Sequence, residues 1–270
     1  MEQLWNVTEK ELLAGDLTLV RCSRCGGRGA FQQTVLSYDA DLQEQETEQL
    51  VACNCRRRPS ELWQKANLPK GRFEGLGLAD LDWDRLEPPE VGRAVRDFAQ
   101  HLEIWQAEGM GLTLMGNVGT GKTHAAVGLI KLACGLGIEA RFMTMDELLG
   151  AIKATYDEGR GEAELLAELA ELPLLALDDL GTENPTPWAR DRLYTLINRR
   201  YLAQRPTIVT TNLGLDALAE RLGERTVSRL WGASLVINFR GADYRERDKR
   251  AALARIRART SGLRVVRSAQ

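Results

Sequence analysis

The sequence has little net charge and no long apolar run. Its 36 lysines and arginines nearly balance its 38 aspartates and glutamates, so the formal net charge is −2. No global basic field therefore indicates a nucleic acid or a membrane as partner. Apolar stretches fall well short of the roughly 20 residues that a transmembrane helix needs. The first residues also lack the basic and then apolar layout of a signal peptide. We therefore expect a cytoplasmic protein with no membrane partner.

Cysteine is scarce and unevenly placed. Of the five cysteines, four fall within the first 55 residues, Cys22 and Cys25 as C-x-x-C and Cys53 and Cys55 as C-x-C. Thiols stay reduced in the cytoplasm, and two such pairs can supply a tetrahedral set of four sulfurs for Zn²⁺. The alternative is two loose thiol pairs or a redox couple. The fifth cysteine, Cys134, falls in an apolar segment that we interpret as core.

The segment between the two cysteine pairs reads as a hairpin. Its predicted strands are 29–36 and 48–52, and its predicted connection is the acidic stretch 39–46. With one pair of cysteines at each end of the hairpin and no open coordination position, the zinc site would be structural. A module this small buries too little apolar surface to fold without the metal.

Residues 116–123 read GNVGTGKT, which matches the G-x-x-x-x-G-K-T pattern of a phosphate-binding loop. Glycines let backbone N–H groups curve around phosphate oxygens at a helix N-terminus, where the dipole favours negative charge. Lys122 would reach the β- and γ-phosphates, and the Thr123 hydroxyl would hold Mg²⁺. An apolar strand at 111–115 and an apolar helix at 125–134 supply the setting that the motif requires; the alternative is a glycine-rich turn without a ligand. The residues predicted to hold ATP here are Gly116, Asn117, Val118, Gly119, Thr120, Gly121, Lys122, Thr123 and His124.

Strands and helices alternate after this loop, which is typical of a parallel sheet with crossover helices. The predicted strands are 138–142, 172–177, 207–211 and 234–239. The predicted helices are 145–156, 162–170, 187–202, 216–222 with Asp216 as its N-cap, and 226–231, and an earlier helix is predicted at 90–108.

The apolar run 172–177 ends in Asp178 and Asp179. Opposite a phosphate loop, Asp178 would enter the Mg²⁺ shell and Asp179 would polarise the attacking water; the alternative for Asp179 is a strand-end cap. Because aspartate is shorter than the more usual glutamate, we expect slow hydrolysis. Asn212, at the end of the next strand, would orient that water and sense the γ-phosphate. Arg229 is a candidate arginine finger acting in trans, although its spacing alone favours a solvated helix arginine.

Residues from about 95 to 245 resemble AAA+ ATPases, specifically bacterial replicative helicase loaders of the DnaC/DnaI type and their IstB-type transposition relatives. The resemblance implies that Arg229 is the trans-acting finger, with Arg225 as a rival on or beside the same short helix, and that Arg245 is the second sensor. The matching segments are GNVGTGKTH (116–124), LLALDDLGTE (174–183), RPTIVTTNL (205–213), LGERTVSRL (222–230) and DYR (243–245).

The same resemblance implies a DNA surface. Loaders of this group contact single-stranded DNA partly through a helical insertion after the second strand and a loop after the Asp-Asp strand. Tyr156, Thr186 and Trp188 occupy the matching places here. Exposed aromatic rings beside a basic channel can stack bases; the alternative for both aromatic residues is ordinary packing.

We therefore expect an α/β fold, with an AAA+ P-loop NTPase core built on a parallel sheet and a small N-terminal zinc-binding module before it. The expected function is ATP-dependent loading of the hexameric replicative helicase onto single-stranded DNA, with self-association through ATP interfaces and a hydrolysis rate that DNA or the partner stimulates. One alternative is a transposition helper ATPase that binds duplex DNA and recruits a transposase; another is a small-molecule phosphotransferase, for which no substrate lid is recognisable. The expected domains are a zinc-binding, helicase-docking module at 1–58, a linker and lead-in at 59–94, an ATPase domain at 95–246 and a basic tail at 247–270.

Overall fold

A computed structural model describes residues 30–38, 44–52, 59–73, 76–158, 161–181 and 185–260. In the N-terminal part of the chain, strands β1 (Ala30–Tyr38) and β2 (Glu44–Ala52) pair antiparallel. The predicted hairpin is thus confirmed, but the predicted connection at 39–46 was too long. Pairing continues to Tyr38 and Glu44, because a two-stranded ribbon can carry charged residues along its strands, and acidic composition alone does not end it.

The main sheet has five strands in the order β4-β5-β6-β3-β7, and every neighbouring pair is parallel. This confirms the predicted parallel α/β architecture. In chain order the strands are β3 (Gly111–Gly116), β4 (Ala140–Thr144), β5 (Leu174–Asp178), β6 (Thr207–Thr211) and β7 (Ser234–Phe239). Strand β6 lies between β3 and β5, so the ends of these three strands meet at one edge of the sheet.

Helices cover both faces of this sheet. Two predictions about them were wrong, one on a helix break and one on an N-cap. The predicted helix at 90–108 is two helices, because His101 leaves helical geometry at φ −116° and ψ 26°. Asp216 is not an N-cap: Gly214 caps the helix, and Asp216 lies in its first turn, where a carboxylate still complements the dipole. The helices are α1 (Pro59–Lys65), α2 (Pro89–Gln100), α3 (Leu102–Ala107), α4 (Lys122–Gly135), α5 (Met145–Glu158), α6 (Glu162–Glu171), α7 (Pro187–Leu202), α8 (Leu215–Leu222), α9 (Glu224–Gly232) and α10 (Tyr244–Thr260).

Both faces of the sheet are buried, each in its own apolar cluster. Leu112 and Leu114 of β3 point to the first cluster, with α2 and α4, whereas Leu175 and Leu177 of β5 point to the second, with α5 to α9. Alternate residues of a strand face opposite sides, and strands covered on both faces read as continuous apolar runs. Cys134 is fully buried in the first cluster, which confirms its interpretation as core.

The segment before the ATPase core, predicted as a linker and lead-in, lies against α4 and the sheet. Leu62, Ala66 and Leu78 are almost fully buried in the first cluster. The Trp63 indole donates to the backbone carbonyl of Lys131 on α4 at 3.2 Å. This packing brings Phe73 and residues 76–86 to one side of the phosphate-loop helix, where they help to form the site. Within the described part of the chain, no helix is both long and apolar enough to cross a membrane.

Candidate nucleotide-binding site

The loop between β3 and α4 has the backbone shape that phosphate binding needs. Gly116, Gly119 and Gly121 have φ angles of 129°, 76° and 99°, a region that side chains disfavour. A Cβ on Gly116 would lie 1.8 Å from the carbonyl oxygen of Phe239, and one on Gly119 would lie 1.7 Å from Asp243 Oδ1. The glycines are therefore required both for the turn and for close packing.

Lys122 opens helix α4 and folds its side chain back over the loop. Its Nζ donates to the carbonyl oxygens of Gly116 at 2.8 Å and Asn117 at 2.6 Å. Burial lowers the pKa of Lys122 to about 8, although the nearby charges of Asp179 and Asp178 oppose this shift. The ammonium thus lies over the loop, bonded to these two carbonyl oxygens. A bound phosphate would take their place as its hydrogen-bond acceptor.

Thr123 and Asp178 come together from α4 and β5. The Thr123 hydroxyl donates to Asp178 Oδ2 at 3.3 Å, and the Thr210 hydroxyl donates to Asp178 Oδ1 at 2.6 Å. Burial raises the pKa of Asp178, while these two hydrogen bonds act in the opposite direction. A carboxylate beside a threonine hydroxyl at the start of the phosphate-loop helix is the ligand pair that Mg²⁺ takes in P-loop nucleotide sites, so these residues fit the metal.

Asp179 and Asn212 form the far side of this polar cluster. The Asn212 amide donates to Asp179 Oδ1 at 2.9 Å, and the backbone N–H of Asp179 donates to the Thr210 hydroxyl at 2.8 Å. Asp179 has φ +58°, a left-handed conformation that an aspartate adopts only occasionally. The structure thus brings together the aspartate pair and the asparagine because β6 lies between β3 and β5.

Thr210 is a site residue that sequence reasoning missed. It contacts both aspartates, and its side chain is 2% exposed. The available signal was a polar residue in the middle of a buried strand, since such residues are normally hydrogen-bonded inside the protein.

The beginning of α10 closes the loop from the other side. The Tyr244 N–H donates to the carbonyl oxygen of Gly119 at 3.0 Å, and the Arg245 N–H donates to Asp243 Oδ1 at 2.8 Å. Arg245 lines the cleft around the loop, as its predicted sensor role requires. Sequence reasoning missed the anchoring contacts of Asp243 and Tyr244, which depend on packing between distant segments.

The cleft has a volume of about 810 Å³. The loop, the aspartates and Asn212 line it. The segment before α2 lines the cleft as well, with the apolar side chains of Phe73, Leu76, Leu81 and Leu86, which form an apolar wall, and the charged residues Asp80, Asp82 and Arg85. Sequence reasoning did not assign these residues to the site. A cleft that combines phosphate-binding groups with an apolar wall suits a nucleoside triphosphate.

His124 lies where the loop meets this apolar wall. Its Nε2 is 2.9 Å from the carbonyl oxygen of Gly77, and its ring meets that of Phe73 edge to face at 6.5 Å between centroids. Burial lowers the pKa of His124, so the neutral ring can donate to that carbonyl. His124 lines the cleft and also ties α4 to the wall.

Arg229 lies outside the cleft of its own chain. Its Nε donates to Asn198 Oδ1 at 2.5 Å, and its guanidinium lies 5.1 Å from the ring centroid of Tyr194 on α7. The rival Arg225 is exposed on the same helix, and its backbone carbonyl accepts from Arg229 Nη1 at 3.2 Å. The structure therefore does not bring either arginine to the loop within one chain.

A second cavity, of about 490 Å³, adjoins the aspartates. Asp178 and Asp179 line it together with Lys153, Thr186 and Trp188. The Thr186 hydroxyl accepts from the Ala189 N–H at 3.2 Å and caps α7.

Tyr156 lies beside Trp188 and is 57% exposed. The Trp188 indole donates to the Tyr156 hydroxyl oxygen at 3.3 Å. The charged groups of Lys153 and Arg192 each lie 5.6 Å from the Trp188 ring centroid. Tyr156 and Trp188 are thus neighbours in an aromatic and basic cluster, and Thr186 precedes Trp188 at the start of the same helix.

The predicted zinc ligands Cys22, Cys25, Cys53 and Cys55 lie outside the described residues. Within the described ranges, no group of three or more His, Cys, Asp or Glu side chains is placed to share a metal ion.

The parallel sheet, the phosphate loop after β3 and the aspartates at the end of β5 define an AAA+ P-loop NTPase. A family model described as "IstB-like ATP binding protein" matches residues 30–252, and the chain belongs to this family. ATP binding and ATPase activity are what this family and its fold indicate.

Relatives of two kinds bear on the function. Over 165 residues, covering 60% of this chain and 67% of the relative, the sequence is 28% identical to the replicative helicase loader DnaC of Escherichia coli (strain K12). Over 196 residues, covering 68% and 72% respectively, it is 29% identical to the insertion sequence IS21 putative ATP-binding protein of Pseudomonas aeruginosa.

Solved structures agree with the fold. The crystal structure of the DnaC helicase loader has a TM-score of 0.51 and 30% identity, and the match covers 67% of this chain and 99% of that chain. The crystal structure of the DnaI has a TM-score of 0.52 over 63% of this chain and 91% of that chain. Its 22% identity makes this second likeness one of fold alone.

Proposed function

We propose that this chain is an ATP-dependent loader that places a hexameric replicative helicase on single-stranded DNA. The observation that carries the proposal is the shared position of Asp178 and Asp179. They line both the nucleotide cleft and the second cavity, whose other wall includes Lys153 and Trp188. The two aspartates that would contact the metal and the attacking water therefore also border a surface suited to DNA. A change at the γ-phosphate can reach that surface through them. The similarity to DnaC supports this function.

In this proposal the chain's own groups divide the work on ATP. The loop amides and Lys122 hold the phosphates, and Thr123 with Asp178 would hold Mg²⁺, which neutralises charge on the phosphate oxygens when bound. Asp179 polarises the attacking water, and Asn212, which donates to Asp179 Oδ1 at 2.9 Å, orients that water and senses whether the γ-phosphate is present. Because aspartate is shorter than the more usual glutamate, we expect slow hydrolysis.

Assembly supplies the remaining catalytic group. Arg229 lies on α9, outside its own cleft and fixed against α7. A residue held rigidly at the surface can enter a neighbouring subunit's cleft as an arginine finger, with Arg225 as the rival. Arg245, which lines the cleft of its own chain, acts as the second sensor.

The DNA surface in this proposal is the cluster around Trp188. Aromatic rings that stack bases contribute about 1–3 kcal/mol per base in single-strand binding. Tyr156 is largely exposed, and Lys153 and Arg192 flank Trp188, so stacking and phosphate contacts are available side by side. Thr186, at the entry to α7, borders the same cavity.

The N-terminal module would dock the helicase and hold zinc. The register pairs Ala30 with Ala52. The first residue of β1 and the last residue of β2 therefore lie opposite each other at one end of the hairpin. In the sequence, Cys22 and Cys25 precede that end and Cys53 and Cys55 follow it, an order that supports a shared site. Zinc content, measured on the purified chain and on a Cys53→Ser variant, tests this part separately.

The test of the loader function mixes the purified chain with the hexameric helicase encoded in the same genome, circular single-stranded DNA and ATP. We expect helicase retained on the circles in the presence of the chain, and much less with Lys122→Ala. If the chain does not associate with the helicase with or without ATP, the proposal is wrong.

A second candidate function is a transposition helper ATPase that binds duplex DNA and recruits a transposase. The family description and the similarity to the IS21 protein favour it. It predicts cooperative, ATP-dependent filaments on duplex DNA, visible by electron microscopy, and no retention of helicase.

A further inference from the structure

One carboxylate, Glu162, holds the aromatic and basic cluster together. Its Oε1 lies 2.7 Å from Arg192 Nε, and its Oε2 accepts from Arg192 Nη2 at 3.2 Å. The Tyr156 hydroxyl donates to the same Oε2. Glu162 thus neutralises the arginine and also fixes the orientation of the exposed aromatic ring.

The ion pair of Arg192 and Glu162 lies at the surface. The side chains of Arg192 and Glu162 are 30% and 20% exposed, so solvent and ligands can reach both. An ion pair that solvent can reach contributes little net free energy. A competing anion therefore needs little free energy to displace Glu162 from the guanidinium.

The geometry matches one kind of competitor. The Glu162 carboxylate, which accepts from Arg192 Nη2, lies where an oxygen of a phosphodiester can lie, because a guanidinium donates to carboxylate and phosphate oxygens through the same N–H groups. The ring of Tyr156 lies next to this position, and a nucleic acid strand offers a base beside each phosphate. An acidic protein segment would supply the charge but would not use the exposed ring in this way.

We propose that Glu162 occupies the place of a backbone phosphate of single-stranded DNA and thereby limits the affinity of the free protein for DNA. On binding, the phosphate takes over Arg192 and the base stacks on Tyr156. This inference rests on the proposed DNA surface and adds a residue that restrains it.

The test compares the full-length chain with Glu162→Gln, in the presence of ATP, for binding of a fluorescent oligothymidine by anisotropy. Glutamine keeps an oxygen that can accept from Tyr156 but removes the charge that competes with phosphate. We expect binding on the order of threefold tighter at low salt. The slope of log affinity against log salt should steepen by about 0.7, because in the unaltered chain the displaced Glu162 carboxylate takes up a cation and so offsets the one that the phosphate releases.

Glu171→Gln is the matched control. Glu171 lies on the same helix and pairs with Arg205 at 3.5 Å, so its substitution also removes one carboxylate from an exposed ion pair. It should leave both affinity and slope unchanged. Arg192→Gln should weaken binding, and adding it to Glu162→Gln should cancel the gain.

The outcomes separate this inference from the function on which it rests. If Tyr156→Ala weakens binding but Glu162→Gln binds no better than the unaltered chain, the restraint by Glu162 is wrong while the DNA surface stands. If Tyr156→Ala and the unaltered chain bind oligothymidine alike, or neither binds, the proposed DNA surface is wrong as well. Equal competition by a polyglutamate peptide would assign the cluster to an acidic protein and overturn the inference.

Discussion

Thr210 lies between the two aspartates on which the site depends. Its hydroxyl donates to Asp178 Oδ1 and accepts from the Asp179 N–H, so a single buried oxygen uses both its donor and its acceptor capacity. The same oxygen atom thereby positions the Asp178 carboxylate, which faces the metal position, and the backbone of Asp179, which carries the second carboxylate.

We predict that Thr210→Val lowers both stability and ATP hydrolysis. Valine matches the shape but leaves a buried carboxylate and a buried N–H without this partner, which costs about 1–3 kcal/mol. The control is Thr113→Val, since the buried Thr113 hydroxyl bonds only to Ser234 Oγ among the contacts described, at 2.8 Å. Urea unfolding should show a loss for both variants, whereas hydrolysis should fall only for Thr210→Val. Unchanged hydrolysis in Thr210→Val would contradict the role given to this residue.

We predict that ATP binding is coupled to a proton on Lys122. Its pKa is lowered to about 8 by burial, so it is charged at pH 7 and loses its charge as the pH rises through 8. A bound phosphate stabilises the charged form, so at pH 8.5 binding should take up about 0.8 proton per ATP and at pH 7 about 0.1. Calorimetry in buffers of different ionisation enthalpy measures this uptake. Equal proton uptake at the two pH values would show that the lysine does not titrate in this range.

At the residue scale, sequence reasoning reached the groups that belong to contiguous motifs. Lys122, Thr123 and Asp178 are named by the loop pattern and by an apolar strand that ends in a carboxylate. Thr210 and the apolar wall around Leu81 were missed, because a polar residue in a buried strand is a weak signal for Thr210 and the sequence around Leu81 offers none. They belong to the site only through strand order and through the packing of a distant segment.

At the element scale, Arg200 ties α6, α7 and β6 together from inside the protein. Its side chain is 1% exposed, and it donates to the carbonyl oxygens of Leu169 at 2.7 Å, Leu172 at 2.9 Å and Pro206 at 2.5 Å. It also donates to the Thr207 hydroxyl at 2.9 Å. The guanidinium thus satisfies carbonyls at the end of α6 and fixes this helix against the sheet.

We predict that Arg200→Met destabilises the fold by about 2–4 kcal/mol. Methionine fills a similar space, but several buried carbonyl oxygens lose their donor, and each unsatisfied group is costly. The adjacent Arg199 is exposed, so Arg199→Met serves as control and should change stability by less than about 0.5 kcal/mol. Urea denaturation gives both values. Equal stability of the two variants would mean that Arg200 does not join these elements.

The elements themselves were predictable to different degrees. Pro187–Leu202 and Thr207–Thr211 begin and end where the sequence indicates, because a proline start and a β-branched run are strong local signals. The break at His101 and the early start of β2 were not predicted. The first depends on how α2 and α3 pack against the core, and the second on pairing with another strand, and neither is a property of the local sequence.

At the scale of the whole molecule, the position of Arg229 bears on the proposed self-association. It is held by Asn198 and Tyr194 against α7 and does not reach its own phosphate loop. In an oligomer built through ATP interfaces, this fixed guanidinium would complete the neighbour's site.

We predict that Arg229→Ala binds ATP normally but loses DNA- or helicase-stimulated hydrolysis by on the order of a hundredfold or more. Asn198→Ala is the control for a purely structural role, because it removes the anchor and keeps the guanidinium. It should retain most of the stimulated rate, measured as phosphate release. A stimulated rate unchanged in Arg229→Ala would return this residue to an ordinary solvated arginine and leave Arg225 as the candidate finger.

The central claim is that the cleft between the phosphate loop and the aspartate pair holds ATP with Mg²⁺. Isothermal titration of the purified chain with ATP and Mg²⁺ at neutral pH tests it most directly. We expect saturable binding at one site per chain, lost in Lys122→Ala and weakened in Asp178→Asn. Absence of binding by the unaltered chain, or equal binding by Lys122→Ala, would contradict the account.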